Sequence, residues 1–424
     1  MASPSTADLT GTFKEVYGDS LKDLIPFSLT LLNRVGFEAR NKVGNKFHQP
    51  VVVKTEQGFT YGAAGAGAFS LESPLALQTA DAQVDGTNLV LSSSVDYESA
   101  ARGAVSKASF AEVTGLKVKH MTANTRKRLE ISAWHGQNGL GTVSSKSGTG
   151  PVVLTISPAT FAPLVWAGAA GAQVVMYDGN TVVGSGEKYT VTKVDVATGQ
   201  VTITAASYTA LNALTITGDE KLFWASSVDT TKALNVAGVH NDMQGIFSQL
   251  STSGSVLGID NTVYDQWAPN SFAVGGALNY KGVQDAVAQA VARGLEDDAE
   301  VFISFKTFGN VAADMAALRV IDQNYDPKKA VQGFESLEFH GLNGKITITP
   351  SGYVPGGVGA VLPIKDIVRV GATDLTFQTP GSVGGEVFFH LSGNAGFGLR
   401  CYSHQGIALL APSRAVYLTG IVNT

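Results

Sequence analysis

Apolar positions along the chain change period several times, and each change marks an element. Leu9, Phe13, Val16, Tyr17, Leu21 and Leu24 recur at helical spacing, and Ser5 with Asp8 forms a capping-box start. Pro26 interrupts the stripe, which resumes at Leu29, Leu32 and Val35. No later segment offers this amphipathic arm (1–44) an obvious partner, and its apolar side could equally dock on a neighbouring copy of the chain. From 45 to 85 the pattern differs. Val51, Val52 and Val53 predict a short strand, and the glycines Gly62, Gly65 and Gly67 stand among alanines that cannot build a core. The expectation is an extended hairpin with a glycine-rich tip. A loop of this length inside a compact domain needs a function, such as lying on another molecule.

A strand over 88–95 feeds a helical stretch that runs to about 137, with bends expected at Gly103 and Gly115. Met121, Thr125, Leu129, Ala133 and Gly136 share one face, small enough for close packing on a sheet. Residues 150–225 switch to period two: Tyr189, Val191, Val194, Val196, Val201 and Ile203 alternate, with turns at Asp178-Gly179 and Thr198-Gly199. Short strands at this spacing predict a small β-sandwich or barrel inserted into a host domain. The remainder, 226–424, returns to mixed character. Val283, Val287, Val291 and Leu295 mark a helix over 280–295 capped by Asn279. A strand over 300–305 and a helix over 308–318 follow, then strands over 346–349, 360–370, 386–391, 406–410 and 415–422.

Composition sharpens this picture. Charged residues make up 15% of the 424, against about 25% in ordinary soluble domains. So few charges on a long chain imply rich buried β-structure or much surface hidden in oligomer contacts. The net charge of -5 gives no global basic field for nucleic acid. Cys401 is the single cysteine, which excludes an intrachain disulfide framework and a cysteine-rich zinc site. The start lacks the basic region and apolar core of a secretory signal. The uncharged stretch 147–177 is interrupted by Pro151, Pro158 and Pro163, and is expected to be strands and turns rather than a membrane span.

Catalytic patterns are missing. The seven histidines lie far apart, no serine sits in a Gly-Xaa-Ser-Xaa-Gly elbow, and no P-loop is present. The glycines at Gly393, Gly396 and Gly398 are expected to form a turn, and Glu296, Asp297, Asp298 and Glu300 a solvated loop. Lys117, Lys119, Arg126, Lys127 and Arg128 form the best candidate face for DNA or an acidic partner, weighed against a plain solvated helix face or an ion pair between subunits. Trp166, Tyr177 and Trp224 suggest a surface-binding module, weighed against ordinary core aromatics. The expectation is no enzyme, no cofactor, no metal site and no membrane.

The order of arm, glycine-tipped hairpin, helix and α/β section resembles the major capsid proteins of tailed phages, the Hong Kong 97-type fold. The most specific match is KRLEISAWHGQNGLG at 127–141, similar to the Arg-Xaa-Glu helix and Gly-Gln-Xaa-Gly-Leu-Gly turn of that family. The resemblance implies an α+β fold with an N-terminal arm at 1–44, an E-loop hairpin at 45–85 reaching over an adjacent subunit, and a peripheral domain with its spine helix at 86–149. It further implies an inserted β domain at 150–225, and an axial domain with the rest of the peripheral domain at 226–424. Its helices, 280–295 and 308–318, would belong largely to the axial domain. The implied function is a structural subunit that self-assembles into pentamers and hexamers of an icosahedral phage head around double-stranded DNA. Intersubunit contact is expected at Phe13, Tyr17, Phe59, Tyr61 and Phe69. Separate scaffold, portal and decoration proteins are the implied partners, with weak non-specific contact to packaged DNA. The implied place is the virion, assembled in the host cytoplasm. Lys54 lies in the hairpin, but nothing identifies a crosslinking partner, and no crosslink is expected. A tail-tube or decoration subunit is the alternative among virion proteins.

Overall fold

The computed structural model describes residues 26–39, 46–65, 67–96, 113–319, 337–341, 344–378, 387–391 and 396–423. The predicted helix of the N-terminal arm lies outside them. Period-two alternation between 142 and 224 does what alternation dictates: it puts every second side chain on one face, and here that face is the inside of a closed sheet. The strands Glu220–Trp224, Thr142–Ser147, Val152–Ile156, Gln200–Thr204, Tyr189–Asp195 and Gln173–Asp178 pair in that order, all antiparallel, and the last pairs back to the first. Closure decides the sandwich-or-barrel question for a barrel and leaves no open edge among these six strands. Val152, Leu154, Val191, Val201, Ile203, Met176 and Leu222 fill it. Val175, Tyr177 and Phe223 point the other way, onto Val228 and Ala225. The closed sheet begins at Thr142, ahead of the expected 150, because its first strand, TVSSKS, carries a single buried apolar residue and leaves no alternation to read.

A second, mixed sheet of six strands runs in the order Asn270–Gly276, Val416–Ile421, Gly359–Leu362, Ala299–Ile303, Gly344–Pro350 and Leu337–Gly341. Ala299–Ile303 is buried along its whole length, since both faces are covered. Val301 and Ile303 face the helices Tyr280–Ala292 and Phe305–Arg319, while Phe302 faces the core shared with the barrel. Asn279 caps the first of these helices as expected, its Oδ1 accepting from Gly282 N at 2.8 Å. The second opens earlier than expected, at Phe305, where Ser304 Oγ accepts from Thr307 N at 3.3 Å.

The third sheet joins distant segments: Phe37–Ala39, Ile367–Thr376, Gly396–Leu409 and Phe388–His390 in order, with Thr87–Asp96 also paired to Gly396–Leu409. Two expectations change here. The single strand over 360–370 is two strands in two different sheets. Pro363 has no N–H to give a ladder, and the 3-10 turn Ile364–Asp366 carries the chain from one sheet to the next. The turn expected at Gly393, Gly396 and Gly398 gives way at 396, where a strand of 14 residues begins. Phe389 lies opposite Gly398, and a Cβ there would sit 2.3 Å from its ring, so the glycine makes room for a cross-strand aromatic. Across this sheet lies the long helix Val113–His135, its Met121 against Leu399 and Cys401. Gly115 bends nothing, because it falls in the first turn of that helix.

Among the described residues, the hairpin strands Phe47–Lys54 and Gln78–Val84 form a two-stranded sheet of their own. Their base is anchored by Phe47, Ala82 and Val84 on Val256, Ile259, Trp267 and Val370.

Candidate assembly surface

The motif at 127–141 is a structural lock. Glu130 is fully buried on the long helix, and its two oxygens accept five hydrogen bonds. Oε1 takes Thr30 N, Thr30 Oγ1, Leu31 N and Trp134 Nε1 at 2.7 to 3.0 Å, and Oε2 takes Leu32 N at 2.9 Å. A carboxylate satisfied by backbone N–H groups ties the end of the N-terminal arm onto the helix. Arg-Xaa-Glu in the sequence thus has a physical meaning, and its partner is a turn about a hundred residues upstream.

The glycine turn that follows has an equally local cause. A Cβ at Gly136 would sit 2.2 Å from Met243 O, and Gly245 N donates to Gly136 O at 2.9 Å, so two backbones touch there. Gln137 adopts a left-handed φ of 63° and is held by its Nε2, which donates to Asp242 O at 2.8 Å. Asp242 was invisible in the sequence, being one acid in a polar stretch. Its side chain accepts from Thr87 Oγ1, Ser132 Oγ and Met243 N, and burial pushes its carboxyl above the usual range. His135, which directly precedes Gly136, is buried with its ring nitrogen 2.7 Å from Tyr353 O, and burial lowers its pKa.

The hairpin tip behaves in the opposite way. Over 55–77 its order comes from a bridge between Gln57 and Leu75, the bond from Glu72 N to Thr60 Oγ1, and Phe69 leaning over Gly62. Tyr61 is 94% exposed, Leu71 80% and Phe59 73%, with Phe69, Leu75 and Leu77 also exposed. An apolar set of this size on one excursion is more than scattered surface residues usually make. Of the five expected contact residues, Phe59, Tyr61 and Phe69 lie on this tip, while Phe13 and Tyr17 fall outside the described residues. Leu71, Leu75 and Leu77 belong with them. Their signal was in the sequence, since an apolar run beside a glycine-rich tip has no core to enter.

The five basic residues do not form one face. Lys119 and Arg126 are exposed. Lys117 Nζ donates to Ser94 O. Lys127 is only 7% exposed and donates to Ala167 O at 2.5 Å; burial, and then the neighbouring Arg128, lower its pKa to about 8. Arg128 stacks on Trp224, with Cζ 3.9 Å from the ring centre. These two cations turn inward because consecutive helix positions point about 100° apart, and the barrel covers the side they occupy. Trp166, Tyr177 and Trp224 are all core residues, so they offer no platform for a surface ligand. Glu300 is not in a solvated loop either: it is buried, accepts from Thr349 Oγ1 at 2.6 Å and pairs with Arg34 at 3.2 Å. Among the described residues no three metal-ligating side chains gather, and no helix is long and apolar enough to cross a membrane.

No protein-family model matches the chain, and no curated protein does. Solved structures do. The asymmetric unit of the cyanophage A-1(L) capsid matches with a TM-score of 0.55 at 10% identity, over 99% of each chain. The capsid of a native GTA particle matches with a TM-score of 0.51 at 9% identity, over the full length of both chains. At these identities the likeness is one of fold: the chain has the Hong Kong 97-type capsid fold.

Proposed function

We propose that the chain is the major capsid protein of a tailed phage, a subunit that closes into hexamers and pentamers of an icosahedral head around double-stranded DNA. One observation carries this reading: a hairpin anchored at its base on the body presents Phe59, Tyr61, Phe69 and Leu71 to solvent. No described residue covers those side chains, and a neighbouring copy would bury them. Permanent interfaces bury about 2,000–5,000 Å², and apolar burial contributes about 25 cal/mol per Å², so an interface of that size outweighs association costs of about 4–15 kcal/mol. The role is structural. The peripheral domain comprises the long helix and the third sheet, and the axial domain the six-stranded sheet with its two helices. Lys119 and Arg126 supply the weak, salt-sensitive DNA contact. Scaffold, portal and decoration proteins are separate chains, and the protein resides in the virion after assembly in the host cytoplasm.

Negative-stain electron microscopy of the purified protein, alone and with a co-expressed scaffold, tests the proposal. Rings or closed shells are expected. Stacked tubes of one ring size would favour a tail-tube subunit instead, and monomers under every condition would sink the shell reading.

A further inference from the structure

The foot of the long hairpin rests on a second, much smaller one. Its strands, Ser255–Val256 and Ile259–Asp260, pair antiparallel around the two-residue turn Leu257-Gly258. Both turn residues lie in the left-handed region, with φ of 51° at Leu257 and 83° at Gly258. Tight turns of this kind ordinarily hold Asn-Gly, because a bulky side chain resists a left-handed backbone. Leucine is the wrong residue for the turn by itself, so contacts outside the turn must hold it there.

Three such contacts are present. The Leu257 side chain is 2% exposed and joins the cluster in which Phe47, Ala82 and Val84 of the hairpin foot meet Trp267 and Val370 of the body. Its N–H donates to Gln244 Oε1 at 3.1 Å. Its carbonyl accepts from Gln83 N, on the hairpin strand Gln78–Val84, at 2.7 Å. The small hairpin is in turn fixed to the body. Trp267 Nε1 donates to Val256 O at 3.0 Å, and Gln249 Nε2 donates to both Gln244 O and Ile407 O.

We propose that Leu257 is a positioning residue, which sets the angle at which the long hairpin leaves the body. It grips the hairpin foot twice, with its carbonyl and with its side chain, and the left-handed turn is what aims both at once. Asparagine in its place would suit the turn and leave the apolar cluster unfilled. The consequence for assembly rests on the shell-forming reading: the same angle decides how neighbouring copies meet.

The angle can be read in unassembled protein. Thr79 on the hairpin stem and Lys193 on the barrel are exposed, while Cys401 is buried, so nitroxides on Thr79→Cys and Lys193→Cys report one distance by double electron–electron resonance. A single narrow distance is expected in this labelled pair. Leu257→Gly keeps the turn and the carbonyl but removes the side chain, and the narrow distance should be lost. Leu257→Met fills the cluster again and should restore it. Melting temperature does not decide the matter, since any core truncation lowers it. An unchanged distance in folded Leu257→Gly overturns the proposal, as does an equally broad one in Leu257→Met. If the glycine variant does not fold, Gln244→Met, which removes the acceptor for Leu257 N, should broaden the distance, and Gln244→Glu, which keeps one, should not. Equal widths in those two variants overturn the proposal as well.

Electron microscopy of the unlabelled variants then tests the consequence for assembly. Particles of one size are expected from the wild type, and mixed sizes or open sheets from Leu257→Gly. Uniform shells from that variant would overturn the link between the angle and assembly. Absence of particles from the wild-type chain would count against the shell reading and leave the resonance result standing.

Discussion

At the scale of single residues, one buried carboxylate shows how a polar group can organise an apolar core. Glu130 holds three consecutive backbone N–H groups, a hydroxyl and an indole. Hydrogen bonds to a charged group contribute about 1.5–3 kcal/mol each, and orphaned buried donors add their own cost. Glu130→Ala is therefore expected to lower unfolding stability by at least about 3 kcal/mol in urea denaturation. Glu130→Gln should lie between, because its amide turns a second donor toward Leu32 N. A loss below about 1 kcal/mol in the alanine variant would show that the lock is dispensable. His135 gives a prediction in pH. Burial lowers its pKa from 6.5, so below that value the unfolded chain binds a proton that the folded chain refuses. Its contribution is full above 6.5 and is lost as the pH falls through the folded pKa. His135→Gln should cost stability at about pH 7.5, and the gap to wild type should narrow by about pH 5. A gap independent of pH, measured by thermal unfolding, would contradict the neutral assignment.

At the scale of elements, the hairpin and the helix-end motif differ in how far local sequence reaches. The hairpin was legible because what mattered was an absence: a glycine-tipped excursion with apolar residues and no complementary stripe nearby. Its strands, Phe47–Lys54 and Gln78–Val84, follow from that reading. Tyr61→Ser with Leu71→Ser is expected to leave unfolding stability within about 0.5 kcal/mol, because both side chains are already solvated. The same variant should sediment as smaller species than wild type in analytical ultracentrifugation. Wild-type association in a folded double variant would remove the hairpin from the interface. The basic set was misjudged by the same local method. Five cations within one helical stretch look like one face, yet Lys127 and Arg128 are covered by a barrel that starts at Thr142 and comes back to the helix only after folding.

At the scale of the whole molecule, the barrel is a working part of the core and not a detachable ornament. Its ends are adjacent, with Thr142 paired to Lys221, which is the geometry of an insertion. Yet its interior is continuous with Trp134, Phe302 and Leu409 of the host. Replacing 142–224 by a short glycine-serine linker should therefore lower the melting temperature sharply or prevent folding, whereas a free-standing insert would leave it unchanged; differential scanning calorimetry distinguishes the two. The sequence by itself determined the periods and the punctuation. It set alternating strands in the barrel, the helix capped at Asn279, the glycine-tipped hairpin, and the glycine turn that ends the motif at 127–141. These follow from chemistry between near neighbours, where spacing alone decides which side chains share a face. Only the tertiary structure decided that the alternating strands close into a barrel, that Pro363 hands the chain from one sheet to another, and that Glu130 finds its donors at 30–32. It also decided that two of five cations turn inward. Each of those depends on segments tens to hundreds of residues apart, and no local period records which distant backbone will supply the missing partner.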